Sequence, residues 1–311
     1  MSRMVLAVVW FAVIGVALYG PSVWATGDYY YYHVWMSDTD NATYPKPGAL
    51  SDTLWDSFAQ WPSWSTTSPT LQTDPTADEL LDELTSYQDM VGDDDFFLFY
   101  YTGHGREIEI TSSEAWTTQP LLGVPAGAST SGITLDVLTG PDYFGGFADN
   151  ATVVTIFDMC YAGQTLEGAY SFDITGGPVD LRDNTALFAA GQSDEQIGLY
   201  AQNYEPWPAG NWDYVSSYFT QGVIEGLQPG ADGFALADNS RDGYLYAEEL
   251  FAYASFRMQE MGGSGGLLWH DIGSQELPLT TTAPTPEPSS LVLLLVGGSS
   301  IVGFFRRRKK A

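Results

Sequence analysis

The chain has 311 residues, is 44% hydrophobic and 14% aromatic, and carries 39 Asp and Glu against 11 Lys and Arg, for a formal charge of −28. That apolar content can bury a core, which excludes wholesale disorder. Six cations lie at the two ends (Arg3 and Arg306–Lys310), so the interior from Asp28 to Glu287 holds five (Lys46, Arg106, Arg182, Arg241, Arg257) against all 39 acids, a field that argues against nucleic acid and favours cationic partners.

Arg3, the apolar run Met4–Leu18, the Gly20-Pro21 break and Val23-Trp24-Ala25 predict a secretory signal peptide over residues 1–25, with an uncleaved anchor as the alternative. The folded body is expected over 26–276 as one α/β domain. Tyr29–Met36 is an aromatic run and a candidate first strand. Thr76-Ala77-Asp78-Glu79 has capping-box spacing, and Leu80, Leu81 and Leu84 then share a helical face. Asp93–Asp95 reads as a turn. Phe96–Tyr101 (FFLFYY) is a continuous apolar run, the pattern of a strand covered on both faces, and it stops at Thr102-Gly103-His104-Gly105.

Ile133–Leu138 is ambiguous between helix and strand. Thr152–Phe157 (TVVTIF) is a second buried strand, stopping at Asp158-Met159-Cys160, and Thr185–Ala190 (TALFAA) a third, followed by Gly191-Gln192-Ser193-Asp194. Trp212–Leu227 is expected to be an amphipathic helix. Three buried strands with long crossovers predict a parallel sheet, in which functional groups gather at the carboxyl ends. His104, Cys160 and Asp194 then share one rim if their strands are neighbours.

Cys160 is the chain's single cysteine, so no intrachain disulfide forms. A lone Cys and a His on adjacent strand ends suggest a nucleophile and its base. Gly103 and Gly105 allow close backbone approach, and the N–H groups of Gly105 and Cys160 are candidate oxyanion donors. The other reading of Cys160 is a small buried hydrophobe. The two residues lie 56 apart in sequence, near the ~50 typical of caspases.

Asp238-Asn239-Ser240-Arg241-Asp242-Gly243, then Glu249 after five more residues, has the spacing of an EF-hand calcium loop. Asp238, Ser240, Asp242 and Glu249 would supply side-chain oxygens and Tyr244 its carbonyl. Pro229–Gly233 leaves little room for an entering helix, so an acidic turn capping a helix over Leu250–Met258 is the competing reading.

Pro278–Pro288 (PLTTTAPTPEP) reads as an extended linker within 277–288. Pro286-Glu287-Pro288, the apolar Leu291–Phe305 and the basic Arg306–Lys310 then form a tail over 289–311. This three-part order resembles the PEP-CTERM sorting tail of exported bacterial proteins. The resemblance implies exosortase processing near Pro-Glu-Pro, transient membrane anchoring, and delivery to the cell surface or exopolysaccharide matrix. The cations independently hold that end on the cytoplasmic side. A plain C-terminal anchor is the alternative.

PTADELLDEL, DDDFFLFYYTGHG, TVVTIFDMCYAG and TALFAAGQSDEQ together, over Pro75–Gln196, resemble the caspase-like cysteine peptidases, the clan of caspases, metacaspases and legumains. The resemblance implies a caspase-like three-layer sandwich with a mostly parallel central sheet, and a His104/Cys160 dyad that needs no cofactor to act on a protein or peptide substrate. Tyr161 and Ala162 stand where metacaspases usually show His and Ser, a departure that keeps an inactive, partner- or calcium-binding relative as the alternative. Asp158 matches the acid with which metacaspases grip Arg or Lys, and Asp194 falls where they often place a second. Cleavage after a basic residue is therefore expected, with the Asn preference of legumains as the alternative.

Overall fold

The computed structural model describes residues 27–36, 47–103, 105–112, 115–122, 133–134, 138, 142–159, 184–190, 199–201, 215–261, 268–272 and 277–281. His104, Cys160, Asp194 and both termini, with the expected signal peptide and sorting tail, lie outside them.

In chain order the elements are β1 (Tyr29–Trp35), α1 (Pro47–Ala59), β2 (Thr70–Thr73), α2 (Ala77–Met90), β3 (Phe96–Gly103), β4 (Gly105–Ser112), β5 (Ala115–Leu122) and β6 (Ile133–Thr134). They continue with β7 (Thr152–Met159), β8 (Thr185–Ala189), β9 (Leu199–Ala201), β10 (Val215–Ser217), α3 (Tyr218–Gly226), β11 (Tyr244–Tyr246), α4 (Ala247–Glu260), β12 (Leu268–Ile272) and β13 (Pro278–Thr281).

A six-stranded sheet in the order β12-β8-β7-β3-β1-β2 forms the middle layer. Five strands are parallel, and β12 runs antiparallel to β8 at one edge. The three strands expected to be neighbours are neighbours. All eight residues of β3 are buried, as the unbroken FFLFYY run requires of a strand covered on both sides.

One face packs Tyr31, Leu98, Tyr100, Val154, Ile156 and Phe188 against Leu54 and Phe58 of α1, Phe219 and Val223 of α3, and Leu250 and Ala254 of α4. The other packs Tyr32, Phe97, Phe99, Val153 and Phe157 against Leu80, Leu84 and Tyr87 of α2, with Phe144 and Phe147 from the turn before β7. Helical layers on both sides of a mostly parallel sheet make the three-layer α/β sandwich the sequence indicates.

The start of α2 is the expected capping box. The Thr76 N–H donates to Glu79 Oε2 at 2.8 Å, and the Glu79 N–H returns to Thr76 Oγ1 at 3.2 Å.

Two expectations are corrected, and one left open is resolved in part. The helix expected over Trp212–Leu227 begins only at Tyr218, because Ser217 is extended (φ −71°, ψ 162°) and its Oγ accepts the Thr220 N–H as an N-cap. Val215–Ser217 instead pairs with β9. The ambiguous Ile133–Leu138 contributes the two-residue strand β6, paired with β5. Pro278–Thr281, expected as linker, is strand β13, antiparallel to β11. Leu277 and Leu279 are buried there, and Trp64 donates its indole N–H to the Leu279 carbonyl at 3.1 Å. The body therefore extends to Thr281. Polar composition suggested a linker, but these two leucines bind it to the core.

Candidate functional site

Strands β3 and β7 end together. Their parallel register runs from Phe96↔Thr152 to Thr102↔Asp158 and finally Gly103↔Met159. His104 follows Gly103 and Cys160 follows Met159 in sequence. The two strands that precede the expected dyad in sequence thus end side by side at the carboxyl rim of the sheet, at matched height. Strand β8, which leads toward Asp194, is the next neighbour, with Phe157↔Ala189 as its last pair.

Gly103 owes its identity to crowding. A Cβ there would lie 2.6 Å from the Cβ of Met36, whose N–H donates to the Thr102 carbonyl at 2.9 Å and carries β1 to the same rim. Gly105, an expected oxyanion donor, is the first residue of β4 and is paired with Leu122 of β5.

Asp158 is fully buried on the face covered by α3. Its Oδ2 accepts the Ser217 hydroxyl at 2.8 Å and the Thr220 hydroxyl at a shorter distance. The Tyr100 hydroxyl lies 2.6 Å from Thr220 Oγ1. Since the Thr220 proton points to Asp158, Tyr100 donates to Thr220, and the hydroxyls form a directed chain into the carboxylate. Asp158 Oδ1 has no hydrogen-bond partner among the described residues. Burial pushes the Asp158 carboxyl up to about 6, and the bonds from Thr220 and Ser217 pull the other way.

Beside this cage His33 is buried on β1, its Nε2 3.1 Å from Thr102 Oγ1 and its Nδ1 without a partner among the described residues. Desolvation pulls its imidazole down to about 3, so it is neutral at pH 7. Sequence reasoning anticipated Asp158 but not Ser217, Thr220, Tyr100 or His33. The one local signal was Ser217 as a helix cap, hidden by starting that helix too early.

The acidic loop is distinct from the rim. Gly243 sits at φ +94°, the sharp turn that its place in the spacing requires. Asp238 is buried, and its Oδ1 accepts the Arg241 N–H at 2.8 Å and the Ser240 hydroxyl at 3.3 Å. Asp242 Oδ1 accepts the Tyr244 N–H at 2.9 Å. Glu249, in the first turn of α4, accepts the Ser240 N–H at 2.9 Å and the Tyr246 N–H at 3.3 Å. The donor types suit a hard cation. The carboxylates, however, face loop amides, and among the described residues no group of three or more His, Cys, Asp or Glu is arranged to hold a metal ion. α4 follows the loop as expected, while α3 ends at Gly226, well before Asp238, so no helix leads directly into it.

Residues 284–309 match the PEP-CTERM protein-sorting motif. The protein is accordingly exported to the cell envelope or surface, anchored transiently in the membrane by its tail, and processed by an exosortase. No curated protein matches the chain. The fold is similar to the crystal structure of protein GSU0716 from Geobacter sulfurreducens, with TM-score 0.50 and 14% identity over 85% of this chain and 97% of that one. At that identity the likeness concerns the fold alone.

Proposed function

We propose that this exported protein is a caspase-like cysteine endopeptidase. The observation that carries the reading is the Gly103↔Met159 pairing, which ends two adjacent parallel strands one residue before the His and the Cys. In this reading His104 takes the Cys160 proton, and the thiolate attacks the scissile carbonyl. The N–H groups of Gly105 and Cys160 stabilise the oxyanion. His104 then protonates the leaving amine. Water hydrolyses the thioester to release the acyl product, or a second amine intercepts it in transpeptidation. Asp158, with Asp194, selects a basic P1 side chain, in keeping with the acidic interior.

A thiol-reactive peptide probe tests the reading. The full chain should be labelled at Cys160, and His104→Ala should reduce labelling by 100-fold or more, the scale of general-base catalysis. An unlabelled chain would instead support an inactive surface protein.

A second reading concerns calcium. Gly243 at φ +94° and the buried Asp238 are the observations that favour it. Asp238, Ser240, Asp242 and Glu249 would hold the ion with the Tyr244 carbonyl, after their carboxylates exchange loop amides for metal. Titration calorimetry should show binding that Asp242→Ala abolishes, and absence of heat at millimolar calcium removes this reading.

A further inference from the structure

Asp158 presents a bonding problem that the described residues do not solve. As a carboxylate it has two donors on Oδ2, from Ser217 and Thr220, and none on Oδ1. As a neutral acid it would place its proton on Oδ1, because Oδ2 is already occupied, and that proton would find no acceptor. Either state leaves one buried atom unsatisfied, a situation native proteins rarely tolerate without a functional reason. A donor arriving from outside the fold resolves it.

Two hydrogen bonds partly offset the cost of burying the carboxylate and fix its orientation. The Ser217 Oγ accepts the Thr220 N–H at 2.9 Å, which commits the hydroxyl proton to Asp158. Tyr100 donates to Thr220, which commits that proton as well. Both hydroxyls belong to the first turn of α3, where the helix dipole also favours an anion. Among the described residues every side-chain donor to Asp158 therefore converges on Oδ2, and Asp158 holds the penultimate paired position of β7, two residues before Cys160 in sequence.

We propose that Ser217 and Thr220 are specificity-positioning residues, which clamp Asp158 by Oδ2 so that Oδ1 receives the guanidinium or ammonium of a basic P1 side chain. Tyr100 is the outer support of the Thr220 hydroxyl. This deepens the endopeptidase reading and rests on its assignment of Asp158, but the clamp and the dyad fail separately.

The test uses the full chain with P1-Arg and P1-Gln thiol-reactive peptides, and benzamidine as a probe of the acid alone. Thr220→Val and Ser217→Ala should each lower the P1-Arg to P1-Gln labelling ratio about tenfold, the size expected for a lost charge-assisted bond. Thr220→Ser should restore it, and Tyr100→Phe should have a smaller effect in the same direction. Benzamidine should bind the native chain, and Asp158→Asn should abolish that binding. Equal losses of both labels in Thr220→Val, without rescue by Thr220→Ser, would reduce the two hydroxyls to structural supports and overturn the proposal. A native chain that labels with neither peptide but binds benzamidine through Asp158 would sink the dyad and retain the clamp. A chain that does not bind benzamidine sinks the clamp, whatever the thiol does.

Discussion

Ser217 donates its hydroxyl to Asp158 Oδ2 at 2.8 Å while capping α3 through the Thr220 N–H. One side chain thus fastens the start of a helix to the end of the central strand β7, across 59 residues of sequence. The bond holds a buried carboxylate, and the energetic consequences are measurable.

Asp158 should make the fold less stable as pH rises. Its carboxyl is raised from an ordinary 3.8 to about 6, so between those values the folded chain holds a proton that the unfolded chain has lost. Stability therefore falls with rising pH across that window, by about 3 kcal/mol in total. Asp158→Asn removes this cost. It should stabilise the protein at pH 7 by about 1–3 kcal/mol and leave it unchanged near pH 3.5, read from urea unfolding.

His33 should act with the opposite sign. Its imidazole is lowered from 6.5 to about 3, so below 6.5 the unfolded chain takes up a proton that the folded chain refuses. The neutral-side stability is present above 6.5 and lost as pH falls toward 3, by up to about 5 kcal/mol. Between pH 4 and 6 the two groups oppose each other. Relative to the native chain, Asp158→Asn should lose stability toward acid, and His33→Gln should gain it. Parallel pH profiles for the two variants would contradict both assignments.

Gly103→Ala should cost about 1–3 kcal/mol through overpacking, because its Cβ would fall 2.6 Å from Met36 Cβ. Pairing it with Met36→Gly, which removes the Cβ that it meets, should recover part of that loss. Additive losses in the double-mutant cycle would show that the clash lies elsewhere.

The end of the body can be located by truncation. A chain ended after Thr281 should unfold at the same urea concentration as the full chain, whereas one ended after Glu276 loses Leu277 and Leu279, both buried. Removing two buried leucines should cost more than about 3 kcal/mol. Trp64→Phe, which leaves the Leu279 carbonyl without its indole donor, should cost about 1–2 kcal/mol. Equal midpoints for the two truncated chains would return β13 to the linker.

The middle layer was legible because its strands declare themselves locally. FFLFYY and TVVTIF are unbroken apolar runs, and burial on both faces is the condition that selects such runs. The antiparallel pair of β4 and β5 is signalled only by the short alternation Glu107-Ile108-Glu109-Ile110, a weaker mark than a continuous apolar run. The Asp158 cage was not legible at all beyond Asp158 itself. Tyr100 and Thr220 meet across 120 residues of sequence, and no local periodicity encodes such a meeting. β13 failed for a related reason, since two leucines among prolines and threonines gain their meaning from Trp64, 215 residues away.

The attachment of β13 has a mechanical consequence. While the sorting tail is held in the bilayer, any pull on the body enters through Thr281, the residue paired with Tyr244 and only a short step before the motif that begins at residue 284. The load falls first on the β11–β13 ladder and then on the indole of Trp64, which anchors the strand to the interior. A tug from the membrane is thus resisted at the margin of the domain, far along the chain from strands β3 and β7 at its centre.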